Sequence, residues 1–399
     1  MRLADAAALL RVRRPALLGD DRRLQGCLTV DDLRAAACRR LPRGAFDYLD
    51  GAAEDEVTMR RNRGAFDDLE LVPRVLRDVG EVDLSTTVLG TPAALPVVLG
   101  PTGFTRMFHP DGELAVAAAA ARAGVPYTGA TLGTTALEDV AAQGNGPLWF
   151  QLYVWRDRGL CEELVDRARA AGYRALVLTV DTAVPGARER DLRNGLSIPP
   201  ALTPRTLLDG ARHPRWAYGL LASDAITFAN VRHVAPGPTE VMRFVGEQFD
   251  PTVGWDDVSW LRGLWDGPLV LKGVLSAQDA RQAADLGVEG LVVSNHGGRQ
   301  LDHVPAALPA LERVLDAVGD DVEVLVDSGF RRGTDVLKAL ALGARAVLLG
   351  RPYLYGLAVG GEAGVDRVLQ ILRAELRRAM QLAGATSVDR LDASYLHRR

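Results

Sequence analysis

Lysine is almost missing from this 399-residue chain. It occurs at Lys272 and Lys338 alone, and arginine supplies the other fixed positive charges. Lys272 ends an apolar run, so in a chain that otherwise writes arginine it is either put to use or kept by chance. Cysteine is scarce too. Cys27, Cys38 and Cys161 are odd in number, far apart and without metal-ligand spacing, which argues against a disulfide framework or a metal site and fits a reducing cytosol. Long apolar runs are absent: no stretch approaches the roughly 20 residues of a membrane-spanning helix. There is no excess of one charge sign either, and a net charge of −4 gives no reason to expect nucleic acid. Residues 1–25 hold short apolar runs broken by arginines and no cleavage site, which reads as a disordered or helical extension and not a signal peptide. No P-loop exists, and no GxGxxG follows an apolar run, which disfavours ATP and a Rossmann-bound nicotinamide.

What is present is an ordinary globular composition, 48% apolar and 25% charged, laid out in a regular alternation. After the extension, 1–27, the segment 28–399 reads as one domain. Residues 29–66 look helical, with Thr29 as a cap, an acidic first turn and a break from Tyr48 to Gly51. A loop with short extended pieces covers 71–92. Eight apolar runs then follow, at 96–100, 125–129, 148–153, 175–181, 269–273, 290–295, 322–327 and 346–350. Between most of them lie Ala/Leu/Arg-rich segments of helical period, several ending in glycine. Near-continuous apolar strands mean a parallel sheet covered on both faces. Eight units predict an α/β fold, a (β/α)8 TIM barrel more than a doubly wound sheet, with an N-terminal helical segment and a long insertion after strand four. That insertion, 189–262, is longer than a helix and two loops require. Its middle mixes Trp216, Tyr218, Leu220, Leu221, Ile226 and Phe228 with Arg212, Arg215 and Arg232. Such a mixture suits a membrane interface, a cover for the barrel mouth or a partner subunit.

In a barrel of this kind chemistry gathers at the C-terminal strand ends. The predicted ends are Pro101-Thr102-Gly103, Gln151-Leu152-Tyr153, Thr179-Val180-Asp181, Lys272-Gly273, Ser294-Asn295-His296, Asp327-Ser328-Gly329 and Gly350-Arg351. A lone histidine at a strand end is more often a satisfied structural residue. A Tyr, an Asp, a Lys and a His converging on one face are not explained by loop polarity. Asp181 and His296 come from non-adjacent strands, and a carboxylate beside imidazole orients the ring and stabilises its protonated form. Arg299 and Arg188 are placed to clamp a carboxylate from two sides, although Arg188 also reads as part of a solvated charge run. Strands seven and eight bring Arg331, Arg351 and glycine amides to the usual phosphate corner, and Lys272 aims at the centre.

The pieces FDYLDGAAEDE, PTGF with HPDGE, FQLYV, LTVDTAVPGARERDLRNG, LKGVL, VSNHGGRQLD, VDSGFRRGTDVLKALALGA and LLGRPYLYGLA run in order from about residue 29 to 396. Together they resemble the FMN-dependent L-2-hydroxyacid dehydrogenases and oxidases, most of all the branch of mandelate dehydrogenase and the bacterial L-lactate dehydrogenases. The resemblance implies a (β/α)8 barrel that binds FMN and oxidises an L-2-hydroxy acid to a 2-keto acid. It assigns His296 as base with Asp181 its partner, Arg299 and Arg188 to the substrate carboxylate, and Tyr48 and Tyr153 to substrate contacts. FMN would be held by Thr102, Gly103, Gln151, Thr179 and Ser294, with Lys272 near N1. Asp327, Gly329, Arg331, Gly350 and Arg351 would take its ribityl-phosphate end.

Three positions refine the expectation. Gly103 stands where the oxidases usually have alanine, which looks like the dehydrogenase branch passing electrons to a quinone or another carrier. Ala130 stands where the family usually offers a serine or threonine. Leu132 replaces the tryptophan of plant glycolate oxidases and, with Phe104, would line a pocket suited to a larger side chain than that of glycolate. The resemblance also implies a homotetramer, a cytoplasmic location and peripheral contact with the inner face of the membrane through the insertion. Two other functions remain open: a biosynthetic or peptide-cofactor oxidation on the same FMN scaffold, and a non-redox phosphate-binding isomerase.

Overall fold

The computed structural model describes residues 24–144, 146–194, 203–235 and 237–399. Most of the expected 1–27 extension, and 195–202 within the insertion, lie outside them. The extension's last residues do belong to the domain: Leu24 and Cys27 are buried in its core, and Arg367 donates to the Cys27 carbonyl at 2.8 Å. Packing therefore starts ahead of the expected boundary at residue 28. Thr29 then opens the first helix as its sequence predicts. Its hydroxyl accepts from the Asp32 amide at 3.1 Å while the Asp32 carboxylate accepts from the Thr29 amide at 2.9 Å, a closed capping box. Helices Val30–Arg40, Arg43–Asp50 and Val57–Gly64 follow. The third makes no side-chain cap bond of its own, and Glu56 at its start has φ +58°. Asp302 caps it from across the fold, accepting from the Val57 and Thr58 amides at 3.0 and 2.7 Å. The N-terminal helices are thereby tied to the loop that carries His296.

Eight parallel strands close a barrel in chain order. They are β1 Val97–Leu99, β2 Tyr127–Ala130, β3 Leu148–Leu152, β4 Ala175–Thr179, β5 Leu269–Val274, β6 Gly290–Val293, β7 Glu323–Val326 and β8 Ala346–Leu349, and β8 pairs back onto β1. Alternation of period two sends Val98, Trp149, Val177, Val270, Val292 and Leu325 into the barrel interior. Their neighbours Leu99, Phe150, Leu178, Leu271, Leu291 and Val326 join the layer shared with the helices. A hairpin of Thr86–Val88 and Thr91–Ala93 closes the N-terminal end with Val88, Leu89 and Ala93. The second strand starts at Tyr127, two residues later than the apolar run suggests, because Pro126 has no amide to give a ladder. The fourth stops at Thr179, leaving Asp181 beyond the sheet. The final long helix, Arg351–Ala383, bends at Gly360 and Gly361. There the backbones of Gly356 and Gly364 touch, leaving no room for a Cβ at either.

The insertion forms helices Pro204–Arg212, Pro214–Leu221 and Pro238–Gln248 and a short 3-10 segment, Ala229–Val234. Its aromatic and aliphatic residues divide between two faces. Phe228 is buried and the Trp216 indole donates to the Met107 carbonyl at 2.8 Å, whereas Leu207, Leu208, Tyr218 and Leu221 are 57%, 55%, 75% and 85% exposed. Among the described residues no helix is long and apolar enough to cross a membrane.

Candidate active site

The loop after β6 begins with a strained residue. His296 has φ +56°, a conformation unfavourable for a side chain with a Cβ. Phe104 after β1 (φ +56°) and Ser328 after β7 (φ +75°) are strained likewise, so three strand ends carry backbone strain at one mouth. The strain aims the imidazole at Asp181: Nδ1 lies 2.9 Å from Oδ1 and donates to it, leaving Nε2 free to exchange a proton. Gly273, at φ +116°, makes room for the pair, since a Cβ there would lie 2.7 Å from the Asp181 Cβ. Burial alone would raise the Asp181 carboxyl. The charge and hydrogen bond of His296, with Lys272 beyond, outweigh burial and hold it below its ordinary value. The carboxylate is thus fixed in its ionised form.

In the same cavity two guanidinium groups stand around one ring. Arg299 and Arg188 have their Cζ atoms 5.0 and 5.5 Å from the Tyr48 ring centroid. Arg299 donates through Nη1 to the Tyr48 and Gly51 carbonyls at 2.7 and 2.9 Å. Burial, and then the like charge of Arg188, push its guanidinium down to about 10, which marks a site short of negative charge. Arg188 meets Asp191 at 3.0 Å, so it is no freely solvated charge. The Tyr153 hydroxyl is raised by burial and by Asp181, which keeps it a proton donor at neutral pH.

Lys272 answers the question its rarity raises. Its Nζ lies 3.2 Å from Asp327 Oδ2 and donates to Ser294 Oγ at 3.1 Å. Burial would lower it, but Asp327 and Asp181 outweigh that and hold the ammonium charged. Lys338, in contrast, donates to the Phe66 carbonyl at 2.7 Å far from this group and is structural. The Ser294 hydroxyl accepts from Lys272 and from the His296 amide (3.0 Å) in a fully buried position, which leaves its own proton to donate.

Thr102, Gly103, Gln151, Thr179, Lys272 and Asp327 line a cavity of about 360 Å³ at the barrel mouth. Tyr48, Tyr153, Arg188, His296 and Arg299 line it too. Asp181 stands behind His296. Through Asp327, Gly350 and Arg351 the cavity meets a small recess of about 60 Å³ that Gly329 and Arg331 complete. FMN fits this donor set. Gln151 Nε2 and Arg351 Nε are buried polar atoms without a partner, and side-chain-free glycines line both spaces. Arg351 otherwise bonds the Gly297 and Gly51 carbonyls at 3.0 and 2.7 Å, which fixes its plane, and Arg331 lies over the Tyr355 ring at 5.6 Å. A larger groove of about 1000 Å³ lies at the opposite barrel end, among Asp83, Asp320, Glu323 and Asp389, and holds none of these groups.

The substrate-side wall is apolar. Leu132 and Phe104 line it as the sequence predicts, and Ala130 faces the same space. The neighbouring hydroxyl of Thr131 does not replace a side-chain donor at 130, since it donates away to the Gln151 carbonyl at 2.6 Å. The insertion supplies Phe228, from the aromatic stretch read as a candidate cover for the barrel mouth, and also Met242, Val245 and Phe249, which sequence reasoning missed. The only signal for them was the aromatic density around Phe228.

A barrel with a paired histidine, two arginines in the same cavity and an arginine-lined recess beside a buried lysine defines an oxidoreductase site for a phosphorylated cofactor and a carboxylate. The family model of the FMN-dependent dehydrogenases matches residues 37–398, and this chain belongs to that family. It is 48% identical over 396 residues (99% of the chain, 95% of the relative) to a putative L-lactate dehydrogenase of Mycobacterium tuberculosis. It is also 48% identical over 375 residues (93% and 98%) to an L-lactate dehydrogenase of Caulobacter vibrioides. Among solved structures it resembles the monotopic membrane protein (S)-mandelate dehydrogenase, with 41% identity, a TM-score of 0.92 and coverage of 94% and 100%. A mandelate oxidase variant matches at 42% identity with a TM-score of 0.80, covering 94% and 98%.

Proposed function

We propose that this protein oxidises an L-2-hydroxy acid with an apolar side chain larger than methyl to the corresponding 2-keto acid. The observation that carries the reading is that His296, held by Asp181, lines one cavity together with Arg299 and Arg188. The two arginines hold the substrate carboxylate, and Tyr48 and Tyr153 supply hydroxyl hydrogen bonds. The side chain rests on Leu132, Phe104 and the insertion's apolar wall. His296 Nε2 takes the proton, and Asp181 stabilises the imidazolium that results. FMN, when bound, supplies the two-electron acceptor for the carbon being oxidised. Thr102, Gly103, Gln151 and Thr179 hold its ring. Asp327, Gly329, Arg331, Gly350 and Arg351 hold its phosphate end, and Lys272 puts a positive charge beside the ring with Ser294 as its support.

Electrons leave to a quinone or another carrier. The resemblance of Gly103 to the dehydrogenase branch supports that outcome over rapid reaction with oxygen; in the fold, a Cβ there would press on Leu132 at 3.2 Å, so glycine keeps the two loops close. The exposed Leu207, Leu208, Tyr218 and Leu221 support peripheral contact with the inner face of the membrane, and the family resemblance supports a homotetramer. Anaerobic visible absorbance of the flavoprotein during addition of L-mandelate, L-lactate and glycolate tests the reaction. Bleaching by the first acid at the lowest concentration supports it, and a flavin that no 2-hydroxy acid reduces overturns it.

A further inference from the structure

The insertion is fastened to the two barrel loops that carry Phe104 and Leu132, and one buried side chain makes most of the second attachment. On the loop after β1, Trp216 donates to the Met107 carbonyl at 2.8 Å and Arg106 donates to the Asp224 carbonyl at 2.8 Å. On the loop after β2 the attachment is Asn230, only 2% exposed. Its amide nitrogen donates to the Ala130 and Thr131 carbonyls at 3.1 and 3.2 Å, and its Oδ1 accepts from the Leu137 amide at 2.9 Å. One backbone bond, Ala229 to the Gly133 carbonyl at 3.0 Å, runs alongside. Arg167 holds Asn230 from behind by donating to its carbonyl at 2.7 Å. Two residues earlier, Phe228 enters the cavity wall and meets Phe104 edge to face at 4.8 Å.

An asparagine whose donors and acceptor are all spent on backbone of another element, in a buried place, is a fixed joint. What it fixes here is not the catalytic end of the cavity. Leu132 and Phe228 line the cavity on elements other than those that carry His296, Arg299 and Lys272.

We infer that Asn230 is a positioning residue for substrate selectivity: by locking the insertion onto the Ala130–Leu137 loop, it sets the width of the side-chain pocket. This rests on the function proposed above. The insertion is then part of the selectivity filter and not only a surface appendage. Asn230→Ala takes their side-chain partner from the Thr131 carbonyl and the Leu137 amide, leaves the Ala130 carbonyl only its bond from the Gly133 amide, and lets Phe228 and Leu132 part. Asn230→Asp keeps the acceptor for Leu137 but turns two donors toward carbonyls into repulsion.

The test compares wild type, Asn230→Ala, Asn230→Asp and Phe228→Ala as holoenzymes. Steady-state kinetics on L-mandelate and L-lactate give the ratio of the two kcat/KM values. Loss of well-packed apolar contacts of this size is worth about tenfold or more. The ratio therefore falls at least about tenfold in both Asn230 variants, mainly through a higher KM for mandelate, and Phe228→Ala reproduces the fall. A merely structural role lowers both acids by the same factor, and that result overturns the inference. A second readout does not need turnover: the dissociation constants of phenylacetate and acetate, followed through the bound flavin's visible spectrum. If wild type oxidises no 2-hydroxy acid yet Asn230→Ala still loses its preference for phenylacetate, the functional reading fails and the joint stands. If the Asn230 variants do not retain flavin, Phe228→Ala decides; an unchanged ratio there overturns the inference.

Discussion

His296 bears the sharpest prediction at the scale of single residues. Its replacement by glutamine keeps the ring volume roughly and removes the proton acceptor, so turnover falls by about a thousandfold while flavin stays bound. Stopped-flow flavin reduction with a flavin spectrum of the resting variant reads both, and a variant with near wild-type reduction contradicts the assignment. Arg299→Leu costs more than Arg188→Leu, because Arg299 also fixes the Tyr48 and Gly51 carbonyls, whereas Arg188 pairs with Asp191. The expected result is a KM for the hydroxy acid raised about a hundredfold in the first variant and about tenfold in the second. Equal effects contradict the added positioning role of Arg299. Most of the cavity lining was legible in the sequence because seven of the eight strand ends change abruptly from apolar to polar or glycine, and the changes share one face once the barrel is closed. Ser294 was legible as a strand-end residue, but its bonds to Lys272 and the His296 amide were not, since strand register alone does not say what a hydroxyl meets. Phe228 was legible only as part of an aromatic stretch suited to cover the mouth, and Met242, Val245 and Phe249 were not legible: the insertion has no barrel periodicity from which to read which of its faces turns inward.

The elements are joined by buried ion pairs that make the fold acid-sensitive. Asp50, at the end of helix Arg43–Asp50, accepts a two-pronged bond from Arg34 at 2.6 and 2.7 Å and one from the Tyr355 hydroxyl at 2.7 Å. Burial alone would raise its carboxyl, but those bonds and charges bring it down to about 2. The folded value lies below the unfolded one, so its stabilisation is present above about pH 4 and is lost as pH falls through about 2. The contribution is roughly 2 kcal/mol at neutral pH. Thermal unfolding of wild type and Asp50→Asn across this range checks it. The gap between them is widest at neutral pH and narrows toward pH 2, and a gap independent of pH contradicts the linkage. The same chemistry explains where element boundaries were legible. The Thr29 capping box is local and was read directly, whereas Asp302 caps helix Val57–Gly64 through contacts between distant parts of the chain.

For the whole molecule, the barrel was legible from eight apolar runs with helical segments between most of them, and its closure follows from their number. How the insertion divides into an inward and an outward face was not, because both faces draw on the same apolar and aromatic residues. The outward face carries a prediction of its own. Exchanging exposed Tyr218 and Leu221 for serine lowers binding to anionic lipid vesicles about tenfold in a flotation assay, with flavin reduction unaltered. Equal flotation of the two proteins removes the insertion from membrane contact. The most direct test of the central claim joins all the scales in one cuvette: visible absorbance of the flavoprotein, kept free of oxygen, while L-mandelate and its D-enantiomer are added in turn. The site as described predicts that the L-acid bleaches the flavin band and the D-acid does not. A flavin that stays oxidised with both, in a protein that holds FMN firmly, would contradict a 2-hydroxy acid as the substrate of the His296 site.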